Sequence, residues 1–71
     1  MKELKKINDN YFNEIYKGVA VSGASVTCIL DDNCVRYMVL DANGKCKSRR
    51  EYSNNQKDLC FQRATEKLNK I

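Results

Sequence analysis

The chain has no histidine, no proline and no tryptophan, and only three glycines. Each absence closes a route. Without histidine there is no imidazole base, no Ser-His-Asp type of triad and no histidine-ligated metal. Three scattered glycines build neither a glycine-rich phosphate loop nor a Gly-x-Ser-x-Gly elbow. No apolar run approaches the roughly 18 to 20 residues of a membrane-crossing helix. The opening Met1-Lys2-Glu3-Leu4-Lys5-Lys6 leads into polar residues, not an apolar targeting core. These absences predict a non-enzyme with no cofactor, no metal and no membrane contact, in a cytoplasmic setting.

What is present fits one small domain over residues 1–71. A domain of this size buries only about 60% of its unfolded surface, so it has one thin core. Thirteen basic residues against nine acidic give a net charge of +4, a mild excess that suits a polyanionic partner. The four cysteines, Cys28, Cys34, Cys46 and Cys60, form no Cys-x-x-Cys pair. They are read as reduced, packed thiols, with two disulfides or a four-thiolate metal site as the alternatives.

The chain is organised around residues 26–52. Val26-Thr27-Cys28-Ile29-Leu30 alternates, with Val26, Cys28 and Leu30 on one face. Asp31-Asp32-Asn33 is a solvated turn, since its carboxylates lack the spacing of a calcium loop. Cys34 to Leu40 is apolar on both faces apart from Arg36, as in a central strand. Asn43-Gly44 predicts a tight hairpin with positive φ at both residues. Lys45 to Tyr52 is too charged for anything but an edge strand. Cys46, Ser48, Arg50 and Tyr52 are placed on one face of it, and Lys45, Lys47, Arg49 and Glu51 on the other. Ser53-Asn54-Asn55-Gln56 is a capping box, opening a helix with Cys60, Ala64, Leu68 and Ile71 as its apolar stripe.

Before the strands, Leu4, Ile7, Tyr11 and Ile15, with Phe12 beside them, recur at spacings of three and four. That spacing predicts an amphipathic helix, with an N-cap in Asn8-Asp9-Asn10 and an end near Lys17, where Gly18 takes the left-handed cap position. Residues 19–25 read as a small, flexible crossing with a bend at Gly23. The expected fold is therefore α+β: helix, three-stranded antiparallel meander, helix, both helices on one sheet face.

All four cysteines fall on apolar strands or stripes, where a thiolate nucleophile is disfavoured, and Glu51 and Asp58 are read as unrelated surface carboxylates. The residues expected to carry function are Arg36, Lys45, Lys47, Arg49, Arg50 and Tyr52. A tight hairpin brings Arg36 and Arg49 close to cross-strand pairing. Cations in rows along a sheet suit backbone phosphates or an acidic protein surface, and Tyr52 or Tyr37 adds an aromatic contact.

Three antiparallel strands and a helix over Val26 to Ile71, with Asn43-Gly44-Lys45 at the second turn and Tyr52 before the helix cap, resemble the integrase arm-binding domains. Those domains lay their sheet on DNA. The tryptophan and the Leu-Gly pair usual around their strands are missing here, and the first helix is extra. The helix-sheet-helix order is also similar to double-stranded RNA-binding domains, whose Gly-x-Ser-Lys-Lys entry to the last helix is absent. A short, Asn- and Lys-rich chain without motifs further resembles accessory proteins of phages and mobile elements, many of which block a host complex. The expected function is thus an inhibitor or adaptor docking on a protein or nucleoprotein partner through a basic sheet edge. The alternatives are direct nucleic-acid binding and a structural subunit that forms a homodimer through the third strand.

Overall fold

The computed structural model describes residues 2–8 and 13–71. They form five strands and one helix: β1 (Lys5–Lys6), β2 (Asn13–Val19), β3 (Ser25–Asp31), β4 (Cys34–Leu40), β5 (Cys46–Tyr52) and α1 (Lys57–Leu68). A single 3-10 turn, Asn54–Gln56, leads into α1. The strands lie in the order β1-β2-β3-β4-β5, antiparallel throughout.

This corrects the expected helix-meander-helix order. The sheet has five strands, not three, and α1 is the one helix of the described residues. The stretch read as a first helix holds β1 and β2, so the helix-sheet-helix likeness to double-stranded RNA-binding domains does not survive. Tyr11, Phe12 and most of the expected N-cap lie outside the described residues. The physical reason is visible in β2. Tyr16, next to Ile15, belongs on the opposite face of a pleated strand, and its ring meets Phe61 of α1 edge-on, with centroids 5.1 Å apart. Seven consecutive residues of β2 pair with β3, Asn13 to Asp31 through Val19 to Ser25. That ladder satisfies the backbone groups an isolated helix would have bonded internally, and tertiary pairing overrides the weak local preference.

Gly18 is accordingly not a helix cap. It lies in β2 beneath α1, and a Cβ built there would stand 2.3 Å from Leu68 Cδ2. Its missing side chain is what lets the helix sit on the sheet.

From Ser25 onwards sequence and structure converge. Val26, Cys28 and Leu30 of β3 and Val35, Tyr37 and Val39 of β4 are buried. They meet Cys60, Ala64 and Leu68 of α1, which recur every four residues along one stripe. Two of the hairpins share one construction. Ala20 and Asp41 each accept a turn-closing N–H, from Gly23 and Gly44 at 3.0 Å. Gly23 and Gly44 supply φ of +92° and +85°. These glycines are the only residues with positive φ among those described, so Asn43 does not adopt the conformation expected of it. Asp41 Oδ1 instead fastens the loop, accepting from the Asn43 and Lys45 N–H groups, each at 2.9 Å.

The sequence also makes both ends of α1 fast. Gln56 Oε1 accepts from the Ser53 hydroxyl at 2.9 Å and from its N–H at 3.3 Å. Lys57 Nζ donates to Asp32 Oδ1 at 2.8 Å, tying the first turn of the helix to the β3–β4 turn. That hydrogen bond holds the Asp32 carboxyl below its ordinary range and raises Lys57. At the far end Asn69 clips the N-terminal segment: its Oδ1 accepts from the Lys2 N–H at 2.8 Å, and its amide donates to the Lys2 carbonyl at 3.0 Å. Leu4 is thereby held inside the core.

Candidate functional site

α1 lies over β3 and β4 and covers one face of the sheet. The pleat sends alternate residues to the other face, and the pairing aligns them in rows. One row runs Ile15, Ile29, Arg36, Glu51; the next runs Lys17, Thr27, Met38, Arg49. Lys5 of β1 pairs with Lys17 and extends the second row. Ile7 donates its N–H to the Ile15 carbonyl at 2.8 Å, extending the first, and its side chain is 58% exposed. Ile15, Ile29 and Met38 are half-buried. The inner strands of this face therefore carry Ile15, Ile29 and Met38 together with Thr27 and Arg36, and Lys5, Arg49 and Glu51 stand on its outer strands.

The six residues singled out from sequence are distributed, not gathered. β5 is an edge strand, as its charge suggests. Its pleat places Arg49 and Glu51 on the open face and sends Arg50 and Tyr52 to the helix side. Arg36 and Arg49 are not directly paired: Arg36 lies opposite Glu51, and Arg49 opposite Met38. A register shift between Val39 and Leu40 makes Lys47 an extra residue between Ser48, opposite Val39, and Cys46, opposite Leu40. Cys46 thus leaves the face expected for it, and Lys45 sits in the hairpin loop. The expected single cationic ribbon is two separate sets.

The first set centres on Arg36, whose Nε is buried and has no hydrogen-bond partner. The ion pairs among the described residues are Lys6–Glu14, Lys57–Asp32 and Arg63–Glu66, and none includes Arg36 or Arg49. The second set lies in a cleft between β5 and α1. The Arg50 guanidinium sits over the Tyr52 ring, 5.3 Å from its centroid. Tyr37 and Tyr52 stack at a tilt, 6.2 Å apart. Arg63, Lys67 and Lys70 line the opposite wall of that cleft. None of the three is among the six residues singled out from sequence. Their spacing of four and three, which puts them on one flank of the helix, was the signal available.

The Cys28 and Cys60 sulfurs lie 3.8 Å apart, fully buried, and burial pushes both thiols up. All four cysteines are free. Among the described residues, no three His, Cys, Asp or Glu side chains converge as a metal site would need. Glu51 borders a cavity with Asp32 and Cys34, whereas Asp58 borders a different one with Glu14 and Lys57. No helix among the described residues is long and apolar enough to cross a membrane. Compared with protein family models, with curated proteins and with solved structures, the chain matches none.

Proposed function

We propose that the chain is a non-enzymatic binding module, of inhibitor or adaptor type, that docks on a protein partner through the open face of its sheet. The observation that carries this reading is the composition of that face. An antiparallel sheet with one solvated face ordinarily alternates apolar residues inward with polar residues outward. Here the outward rows hold Ile7, Ile15, Ile29 and Met38 among Thr27, Lys5, Lys17, Arg36, Arg49 and Glu51, and no ion pair among the described residues includes Arg36 or Arg49. Apolar side chains interleaved with arginine are the anatomy of a protein interface, where a buried core supplies affinity and charges supply orientation. The cations select a partner with an apolar patch flanked by carboxylates. Nucleic acid is the weaker occupant of this face, because Ile and Met at its centre offer phosphates nothing.

The test is affinity capture from nuclease-treated lysate, using wild-type protein and two double variants. Arg36→Glu with Arg49→Glu is expected to lower capture of a stoichiometric protein about 10- to 100-fold, as loss of interface charges does. Arg50→Gln with Arg63→Gln, on the other side of the sheet, should leave it unchanged. Recovery of no stoichiometric protein, or capture indifferent to the first pair, refutes the reading. Capture that disappears with nuclease returns the function to nucleic acid.

A further inference from the structure

We propose that the cleft between β5 and α1 is a binding site for a phosphate group, carried by a nucleotide either free or within a single strand. The cleft encloses about 310 Å³, and Tyr52, Arg50, Arg63, Glu66, Lys67 and Lys70 stand around it. Its charge is out of proportion to its size. Of the thirteen bases and nine acids in the chain, four bases and one acid lie here, leaving nine bases against eight acids for everything else. Four bases against one acid make the cleft locally cationic, and a low-dielectric wall focuses such a field on a bound anion.

Both guanidiniums are braced before any ligand arrives. Arg50 is held over the Tyr52 ring at 5.3 Å. Arg63 Nη1 donates to the Glu66 carboxylate at 3.2 and 3.3 Å. Both lie close enough to act electrostatically on the Tyr52 hydroxyl. Guanidiniums are donors of the kind phosphate oxygens accept, and bracing lowers the entropy lost on binding. The C-terminal end of α1 opposes an anion through its dipole. Lys67 and Lys70 stand where they offset that. The enclosed volume is at the lower limit of ligand pockets, which favours one nucleotide over a duplex.

The site is independent of the docking face, because the sheet lies between them. The experiment is a titration of uniformly ¹⁵N-labelled protein at low salt, with inorganic pyrophosphate in one arm and a short oligothymidylate in the other. Saturable amide shifts are expected at Arg50, Tyr52, Arg63 and Lys67, and not at Ile29 or Met38, with affinity falling as salt rises. Arg50→Gln with Arg63→Gln should weaken binding at least 10-fold. Arg50→Lys with Arg63→Lys keeps the charge, loses the forks, and should fall between. Response to pyrophosphate assigns the site to free phosphates, and response to the oligonucleotide alone assigns it to a strand. Absence of cleft shifts in both arms overturns the proposal. So do shifts at Lys5, Lys17, Arg36 and Arg49 in place of the cleft, or a response unchanged in the Arg-to-Gln variant.

Discussion

A single methyl group added at Gly18 would collide with Leu68, because its Cβ would lie 2.3 Å from Leu68 Cδ2 and 3.3 Å from the Glu3 carbonyl oxygen. Leu68 is fully buried and cannot swing outward without leaving the core. Gly18→Ala is therefore expected to cost about 1–3 kcal/mol, the usual penalty of overpacking. Leu68→Val in the same chain should recover part of it. A urea titration of both variants checks this, and strictly additive losses would show that the two positions do not compete for space. The buried thiols make a second prediction at this scale. Cys28 and Cys60 are held protonated by burial, so their folded pKa values lie above the unfolded one, near 8.5. Stability from this source is complete below pH 8.5. Above it the unfolded chain releases protons that the folded chain retains. Stability should then fall by up to about 1.4 kcal/mol per pH unit for each thiol. Melting temperatures measured from pH 8 to 10 should decline, and Cys28→Ala should lower the starting stability while making the decline shallower. A flat profile would mean that the thiols are not sealed.

Elements differ in how much local sequence decides them. β3, β4, β5 and α1 were legible because their signals agree. Alternation and the turns at Asp31 and Gly44 mark the strand boundaries within a residue of those observed, while the helix expected from the Ser53 cap towards Ile71 begins as a 3-10 turn, Asn54–Gln56, and continues as Lys57–Leu68. β1 and β2 were not, because Leu4, Ile7 and Ile15 fit a helical period while the strand state depends on pairing across the sheet, β1 with β2 and Ile15 with Ile29 of β3. The basic site was half-legible. The charge of β5 and its edge position could be read, but the pleat and the register shift near Leu40, which divide its cations between two faces, could not. The two hairpin glycines separate strain from crowding. A Cβ on Gly44 meets nothing within 4 Å, whereas one on Gly23 meets Ala42 Cβ at 3.2 Å. Gly44→Ala should cost about 1 kcal/mol of backbone strain alone. Gly23→Ala should cost more, and Ala42→Gly should remove the excess. Equal losses at the two sites would show that the loops yield to each other. Asn69 offers a similar test, since its side chain alone joins Lys2 to the helix end. Asn69→Ala should accelerate amide exchange in residues 2–8 and spare β3 and β4.

At the scale of the molecule, one helix on five strands leaves two sheet faces with opposite energetic roles. On the covered face each apolar side chain is removed from water only when the chain folds, so its burial contributes directly to a stability that is small in any chain of this size. On the open face Ile29 and Met38 remain half-exposed. Val26→Thr, which puts a hydroxyl into a position with no exposure at all, is expected to cost about 2 kcal/mol or more. Ile29→Thr keeps the branched shape that a strand accommodates, leaves its hydroxyl in reach of water, and is expected to cost under about 1 kcal/mol. Partner capture should show the reverse order, lost in Ile29→Thr and kept in whatever fraction of Val26→Thr remains folded. Chemical denaturation and capture measured on the same two variants decide the matter. If Ile29→Thr unfolds the chain as readily as Val26→Thr does, the open face belongs to the core, and its apolar rows need no partner to explain them.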